Sequence, residues 1–362
     1  MIINDIIIII VVIFLCIGAI DRILGNKWGY GERFTDGFRA MGTLTIAMVG
    51  IISFAPVIAG ILTPVIAPLF RVIGADPATF ANMILAIDMG GYALAKEMAL
   101  TSEAELFAWV FLGTMMGPTI VFTIPVALGI IRKEDHHLFA KGILIGFITI
   151  PIGSLIGGLV GGLDFITIMR NLLPAIFFSI LIGLGLWKQP GKMIKRFSVF
   201  GKCIEIVAIV GLVAIIVETM TGFVVIPNLA PLQEGIQVVG MIVIFLAGAF
   251  PMVLFIQKVL KKPLGKIGSF LGISEASTAG LVSSLAHAIP MLTILKDMDD
   301  RGKVINVAFA VSGAFVFGGH LGFVAGIEKD MVFAMIVGKL VAGISAILLA
   351  LFILRNRANK LD

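Results

Sequence analysis

Two stretches of this sequence carry groups able to do chemistry inside an otherwise apolar chain. The first is Asn82-Met-Ile-Leu-Ala-Ile-Asp88-Met-Gly90-Gly91-Tyr92-Ala-Leu-Ala-Lys96-Glu97. The second is Ile273-Ser274-Glu275-Ala-Ser277-Thr278-Ala-Gly280, followed by Ser283, Ser284 and His287. A carboxylate near the centre of a bilayer costs about 2.5–3.5 kcal/mol even on the lenient insertion scale. A glycine pair also weakens any continuous helix. Stretches this costly are better explained as a site than as lipid-facing spans. Carbonyls freed at Gly90 and Gly91 could coordinate a cation beside Asp88, and the Tyr92 ring could face an ammonium group. An ion pair with Lys96 is the competing account of Asp88, and plain packing that of Tyr92. Glu275 holds the matching place in the second stretch, where helix capping by Ser274 or Glu275 competes. Ser277, Gly280, Ser284 and His287 are spaced to share one helical face, which close helix packing would also explain. Thr278 adds a further hydroxyl. His287, one turn before Pro290, suits a proton relay or a bond to freed backbone. His320, in Gly318-Gly319-His320-Leu-Gly322, reads as cavity-lining.

The elements that must position these groups follow from composition. The chain has 362 residues, 59% apolar and 14% charged, and its mean hydropathy is +1.12. Soluble proteins carry about 25% charged residues. The sequence therefore specifies a single-domain, all-α polytopic membrane protein. Its net charge of +5 is explained by cytoplasmic-loop cations, so no nucleic-acid partner is expected. Cys16 and Cys203 fall in apolar runs and read as buried thiols without disulfide or metal. The first residues lack a basic n-region and a small-residue cleavage site, and read as a retained span. No H-E-x-x-H, G-x-S-x-G or phosphate-binding loop is present. No enzyme activity, cofactor or metal site is expected.

Spans of about 20 apolar residues are expected near 2–20, 41–63, 106–131, 142–163, 172–187, 203–225, 236–256, 304–325 and 331–354. Trp109 and Trp187 read as interfacial anchors, and Glu218 as interfacial near the outer end of its span. Gly117-Pro118 reads as a break near the binding region. Cations crowd connections 21–40, 132–141, 188–202, 257–266 and 296–303 and the C-terminal tail. Segments 101–105 and 226–235 have none, 164–171 only Arg170 and 326–330 only Lys329. If 78–100 and 266–295 each enter and leave on one side, every cation-rich connection is cytoplasmic, with the N-terminus outside and the C-terminus inside. The expectation is thus nine full transmembrane helices plus two re-entrant hairpins, with tips near Asp88–Gly91 and Glu275–Thr278 meeting at mid-membrane. Units 2–163 and 203–354 then form an inverted repeat joined by 172–187, an architecture of secondary transporters.

The segments Trp-Gly-Tyr-Gly-Glu-Arg-Phe (28–34), Ile-Asp-Met-Gly-Gly-Tyr (87–92), Gly-Ile-Ser-Glu-Ala-Ser-Thr-Ala-Gly-Leu (272–281) and Phe-Gly-Gly-His-Leu-Gly-Phe (317–323) resemble the EutH family over nearly the whole chain. That resemblance implies a bacterial inner-membrane permease bringing ethanolamine into the cytosol as a carbon and nitrogen source. The residues add a hypothesis: Asp88 or Glu275 pairs with the ammonium, while Ser277, Thr278 or His287 bonds the hydroxyl. The expected binding set is Asp88, Gly90, Gly91, Tyr92, Glu275, Ser277, Thr278, His287 and His320. Membrane lipids are the other expected partners. A coupling ion (H+ or Na+), a homo-oligomer, a different small amine as cargo, and a non-transporting scaffold or sensor remain open.

Overall fold

The computed structural model describes residues 2–358, save the side chains of 260–267 and 356–358. Among the described residues every regular element is helical. In chain order these are α1 (Ile2–Ile23), α2 (Tyr30–Val72), α3 (Ala78–Ile84), α4 (Tyr92–Met98), α5 (Ser102–Ile130), α6 (His136–Val160) and α7 (Phe165–Lys188). Then follow α8 (Pro190–Thr221), α9 (Leu232–Leu271), α10 (Glu275–Ser284), α11 (Ala288–Thr293), α12 (Asp300–Gly313), α13 (Gly319–Ile327) and α14 (Val332–Ala358).

Among the described residues eight helical stretches are long and apolar enough to cross a membrane: α1, α2, α5, Lys133–Val160, α7, α8, α9 up to Val259, and Lys329–Arg355. Their outer faces are rich in exposed Ile, Leu, Val and Phe, as expected of surface that faces lipid. The chain is a multi-pass membrane protein.

Several expected boundaries shift for local reasons. Residues 30–40 and 190–202, taken as loops, are helical. Pro190 starts α8 at its first turn, where a missing N–H costs nothing. The basic stretch 257–266 likewise continues α9. The side chains of the loop cations Lys261, Lys262, Lys266 and Arg357 lie outside what is described, as does Lys360 altogether. The span expected at 304–325 is two helices, because the chain leaves helical geometry between Gly313 and Gly319 and Phe315 takes a φ of +63°. Its freed donors are used elsewhere: Phe315 N–H bonds the Ser284 carbonyl at 3.0 Å and Phe317 N–H that of Leu285 at 3.0 Å. Gly117-Pro118 does not break its helix; α5 runs on through it with π-type turns on either side. Trp109 is no interfacial anchor, being 1% exposed in the core, whereas Trp187 is exposed at its helix end. Cys16 and Cys203 are free but exposed, because they fall on outward faces of α1 and α8.

Two helical pairs, α3/α4 and α10/α11, are too short to span. Each is closed at its base by one aspartate. Asp76 accepts from Ala78 N at 2.9 Å, Leu100 N at 2.9 Å and Thr101 N at 3.2 Å, so both ends of the first pair meet on it. Asn171 of α7 holds this base in turn, accepting from Asp76 N and Thr79 Oγ1, each at 2.8 Å. Asp299 accepts from Ser274 N at 2.8 Å, Ser277 Oγ at 2.7 Å and Gly302 N at 2.9 Å, closing the second pair.

Candidate functional site

The first pair turns where the sequence suggested. Between α3 and α4, Met89 and Gly90 are non-helical, and Gly90 has a φ of +91°. Any side chain there would be strained and would strike Ile51. The turn is held from within by Asn82, fully buried, whose Nδ2 donates to the Gly91 carbonyl at 3.0 Å. Helix α5 lies directly on it: a Cβ at Gly117 would run into the Leu85 carbonyl. Asp88 is presented on this turn. It makes no ion pair with Lys96, which is exposed.

The second pair turns elsewhere than expected. Its helices break at Leu285–His287, about three helical turns after Glu275. Glu275 is exposed at the N-terminus of α10. Ser274 caps that helix, accepting from Ser277 N at 3.2 Å, which is the capping alternative realised. Ser277 and Thr278 are buried at the base, their hydroxyls given to Asp299 and to the Ser274 carbonyl. The group at this turn is His287. Its Nδ1 accepts from Ile289 N at 3.2 Å, capping α11, which directs Nε2 away from that helix.

A cavity of about 1210 Å³ connects the two turns to the surface. Asp88, Met89, Ser283, His287 and Phe315 line its inner end, while Arg33, Asp36, Lys202 and Gln257 line its outer part. Three aromatic rings meet at the inner end. Phe315 lies 4.7 Å from the His287 ring, and Phe122 lies 5.7 Å from Phe315 and 5.8 Å from His287. A carboxylate, an imidazole nitrogen, a serine hydroxyl and two phenyl faces can together hold a small organic cation bearing a polar group.

The structure thus gathers Asp88 and His287 from the expected set, with Gly90 and Gly91 shaping the turn behind them. His320 is buried just behind the wall, 5.0 Å from Phe315 ring to ring, with no partner for its Nδ1. Tyr92 faces away from the cavity, packed edge-on to Trp109 at 5.3 Å and Phe323 at 5.5 Å. Glu275, Ser277 and Thr278 stand at the base of their pair and do not line the cavity. Glu218 is half-buried in the last turn of α8, with one carboxylate oxygen unpartnered.

One group escaped the sequence reading. Lys339, in the apolar run of α14, is fully buried (0% exposed), and its Nζ donates to the Thr114 carbonyl at 2.6 Å. The signal was present: proline at 118 has no N–H, so the carbonyl four residues earlier is left without its helical partner. Among the described residues no three His, Cys, Asp or Glu gather into a group able to hold a metal ion.

Comparison with known proteins agrees in extent with this whole-chain architecture. The family model described as "Ethanolamine utilisation protein, EutH" matches residues 3–353. An uncharacterised protein, YxeR, of Bacillus subtilis is 62% identical over 346 residues, covering 96% of this chain and 94% of its own. A "Probable ethanolamine permease EutH" of Listeria monocytogenes is 58% identical, with 99% and 96% covered. A protein of the same printed name from Salmonella typhimurium is 43% identical, with 97% and 95% covered. No solved structure gives a significant match.

Proposed function

The chain belongs to the EutH family, and from that premise we propose that it carries protonated ethanolamine across the bacterial inner membrane, binding it at Asp88. It is a transporter and not an enzyme. The observation that carries the reading is the cavity ending on one carboxylate at the turn of a broken helical pair. Ethanolamine is a cation at neutral pH, since aliphatic amines have pKa values well above 7, as lysine does. Its ammonium pairs with Asp88 against the faces of Phe122 and Phe315, and its hydroxyl bonds Ser283 or Nε2 of His287. The relatives named as probable ethanolamine permeases supply the cargo.

The cycle is alternating access. Both broken pairs are re-entrant hairpins, a reading supported by the meeting of the first pair's ends on Asp76 and by the bonds that tie the start of the second to Asp299, a few residues past its end. The two halves follow one element order: α1, α2, α3/α4, α5, α6, then α7, then α8, α9, α10/α11, α12/α13, α14. This supports an inverted repeat with its site at the repeat interface. The cavity mouth shares its side with the cation-rich connections, so the positive-inside rule makes this state open to the cytosol. Tyr92, Trp109 and Phe323 close the opposite route.

Purified protein in liposomes should take up labelled ethanolamine saturably, and Asp88→Asn should lose uptake while inserting normally. Full uptake by that variant would remove Asp88 from the site. Absence of flux in the parent protein would favour a scaffold or sensor instead.

A further inference from the structure

Lys339 is the one fully buried cation among the described residues. Helix α14 brings it against α5, where its Nζ takes up the carbonyl that Pro118 leaves free. That point lies between Gly113, which packs on the Asn82 side chain and then on Ile87, and Gly117, which packs on the Leu85 carbonyl. The ammonium therefore stands behind the very turn that presents Asp88. Among the described residues no carboxylate oxygen comes within 4.0 Å of it. The titratable groups that face it are Asp88 from the turn and His320 from α13, with His287 beyond His320. Among the described residues no charged group of helices α6, α12 and α1, also packed on α14, acts on it. Among the described residues only one of its hydrogens has a bonded acceptor.

We propose that Lys339 is a built-in counter-cation that exchanges with the cargo, so that one proton leaves for each ammonium bound at Asp88. The proposal rests on the transport reading above and adds its coupling. In the empty site, the Lys339 ammonium balances the Asp88 carboxylate. An incoming cation takes over that role. Two positive charges then share one carboxylate in a medium that screens poorly, which favours losing one of them. Lysine can give up its proton when buried, whereas arginine cannot. The N–H bond breaks, its electron pair stays on Nζ, and the proton is released to bulk water. The neutral amine keeps its bond to the Thr114 carbonyl. The buried charge is then the same before and after binding, which avoids the cost of an extra ion in the membrane.

Calorimetric titration of purified protein with ethanolamine hydrochloride, in buffers of different ionisation heat, reads the protons released. The parent protein should release about one proton per cation bound, and its affinity should strengthen up to tenfold per pH unit. Lys339→Arg should weaken binding more than tenfold. A bare Lys339→Met change leaves the Thr114 carbonyl unpaired and endangers folding. The double change Pro118→Ala/Lys339→Met restores the helical bond to that carbonyl, so any proton it releases on binding comes from Asp88 alone. Binding by the parent without proton release overturns the exchange. So does proton release by Lys339→Arg, or unchanged affinity in that variant. Failure of the parent to bind the amine at all strikes the transport reading instead.

Discussion

The two broken helical pairs use one plan with different parts. Each is closed at its base by an aspartate that accepts three hydrogen bonds, and each has a fully buried asparagine beside it. In the first pair Asn82 sits on the pair itself and bonds across its own turn. In the second, Asn306 sits on the neighbouring helix α12 and donates to the carbonyls of Ser277 and Gly302, each at 2.9 Å. The turns differ most. The α3/α4 turn is held by its own side chain and presents a carboxylate. The α10/α11 turn is held by backbone bonds from the break at Ala314–Gly318 and presents an imidazole. One acid faces one base, so the site has a single formal negative charge to offer a single cation. Two facing carboxylates would have had to share a proton or bind a second cation.

The largest expected effect breaks that asymmetry. Asp88→Asn should lower ethanolamine uptake at least 100-fold in liposomes, whereas His287→Ala should lower it roughly tenfold, through a lost polar contact (about 1.4 kcal/mol). Equal losses would mean that the two turns contribute alike. Next come the bases. Asp76→Ala leaves buried N–H groups unpaired and should cost about 2–4 kcal/mol, read as a lowered unfolding temperature in detergent. Asp299→Ala should cost less, because Asp299 is half-exposed and water can replace it. Gly90→Ala should destabilise the first turn by about 1–3 kcal/mol through its positive φ and Ile51, with uptake falling in parallel.

The smallest effect is a pH dependence confined to the second base. Burial alone would raise the Asp299 carboxyl, but the bonds from Ser274, Ser277 and Gly302 outweigh it and hold it below the usual carboxylate range. A depressed carboxylate contributes its stability above the unfolded-state value and loses it as pH falls through the folded one. Thermal stability should therefore decline in acid more steeply in the parent than in Asp299→Asn. Parallel curves would show that those bonds do not favour the charged form.

Much of the first pair was legible because its signals are local. Gly90-Gly91 stops a helix wherever it occurs, and a lone aspartate in an apolar run is costly whatever surrounds it. The second pair misled for the same reason. Ser274-Glu275 is a helix start, and starts and tips look alike when only polarity is read. Its real turn, at Leu285–His287, depends on acceptors used by Phe315 and Phe317, some thirty residues on. Tyr92 stayed open between cargo contact and packing because a tyrosine beside a site looks the same whether it faces cargo or Trp109.

Hydropathy and loop charge, properties of short windows, by themselves determined that the chain threads a membrane many times and is interrupted near 78–100 and 266–295. Which interruption holds the acid against which imidazole was decided only by tertiary packing. So was the meeting of Lys339 with Thr114 across 225 positions of chain. A residue's type states what it costs to bury, but only the folded chain states who shares that cost.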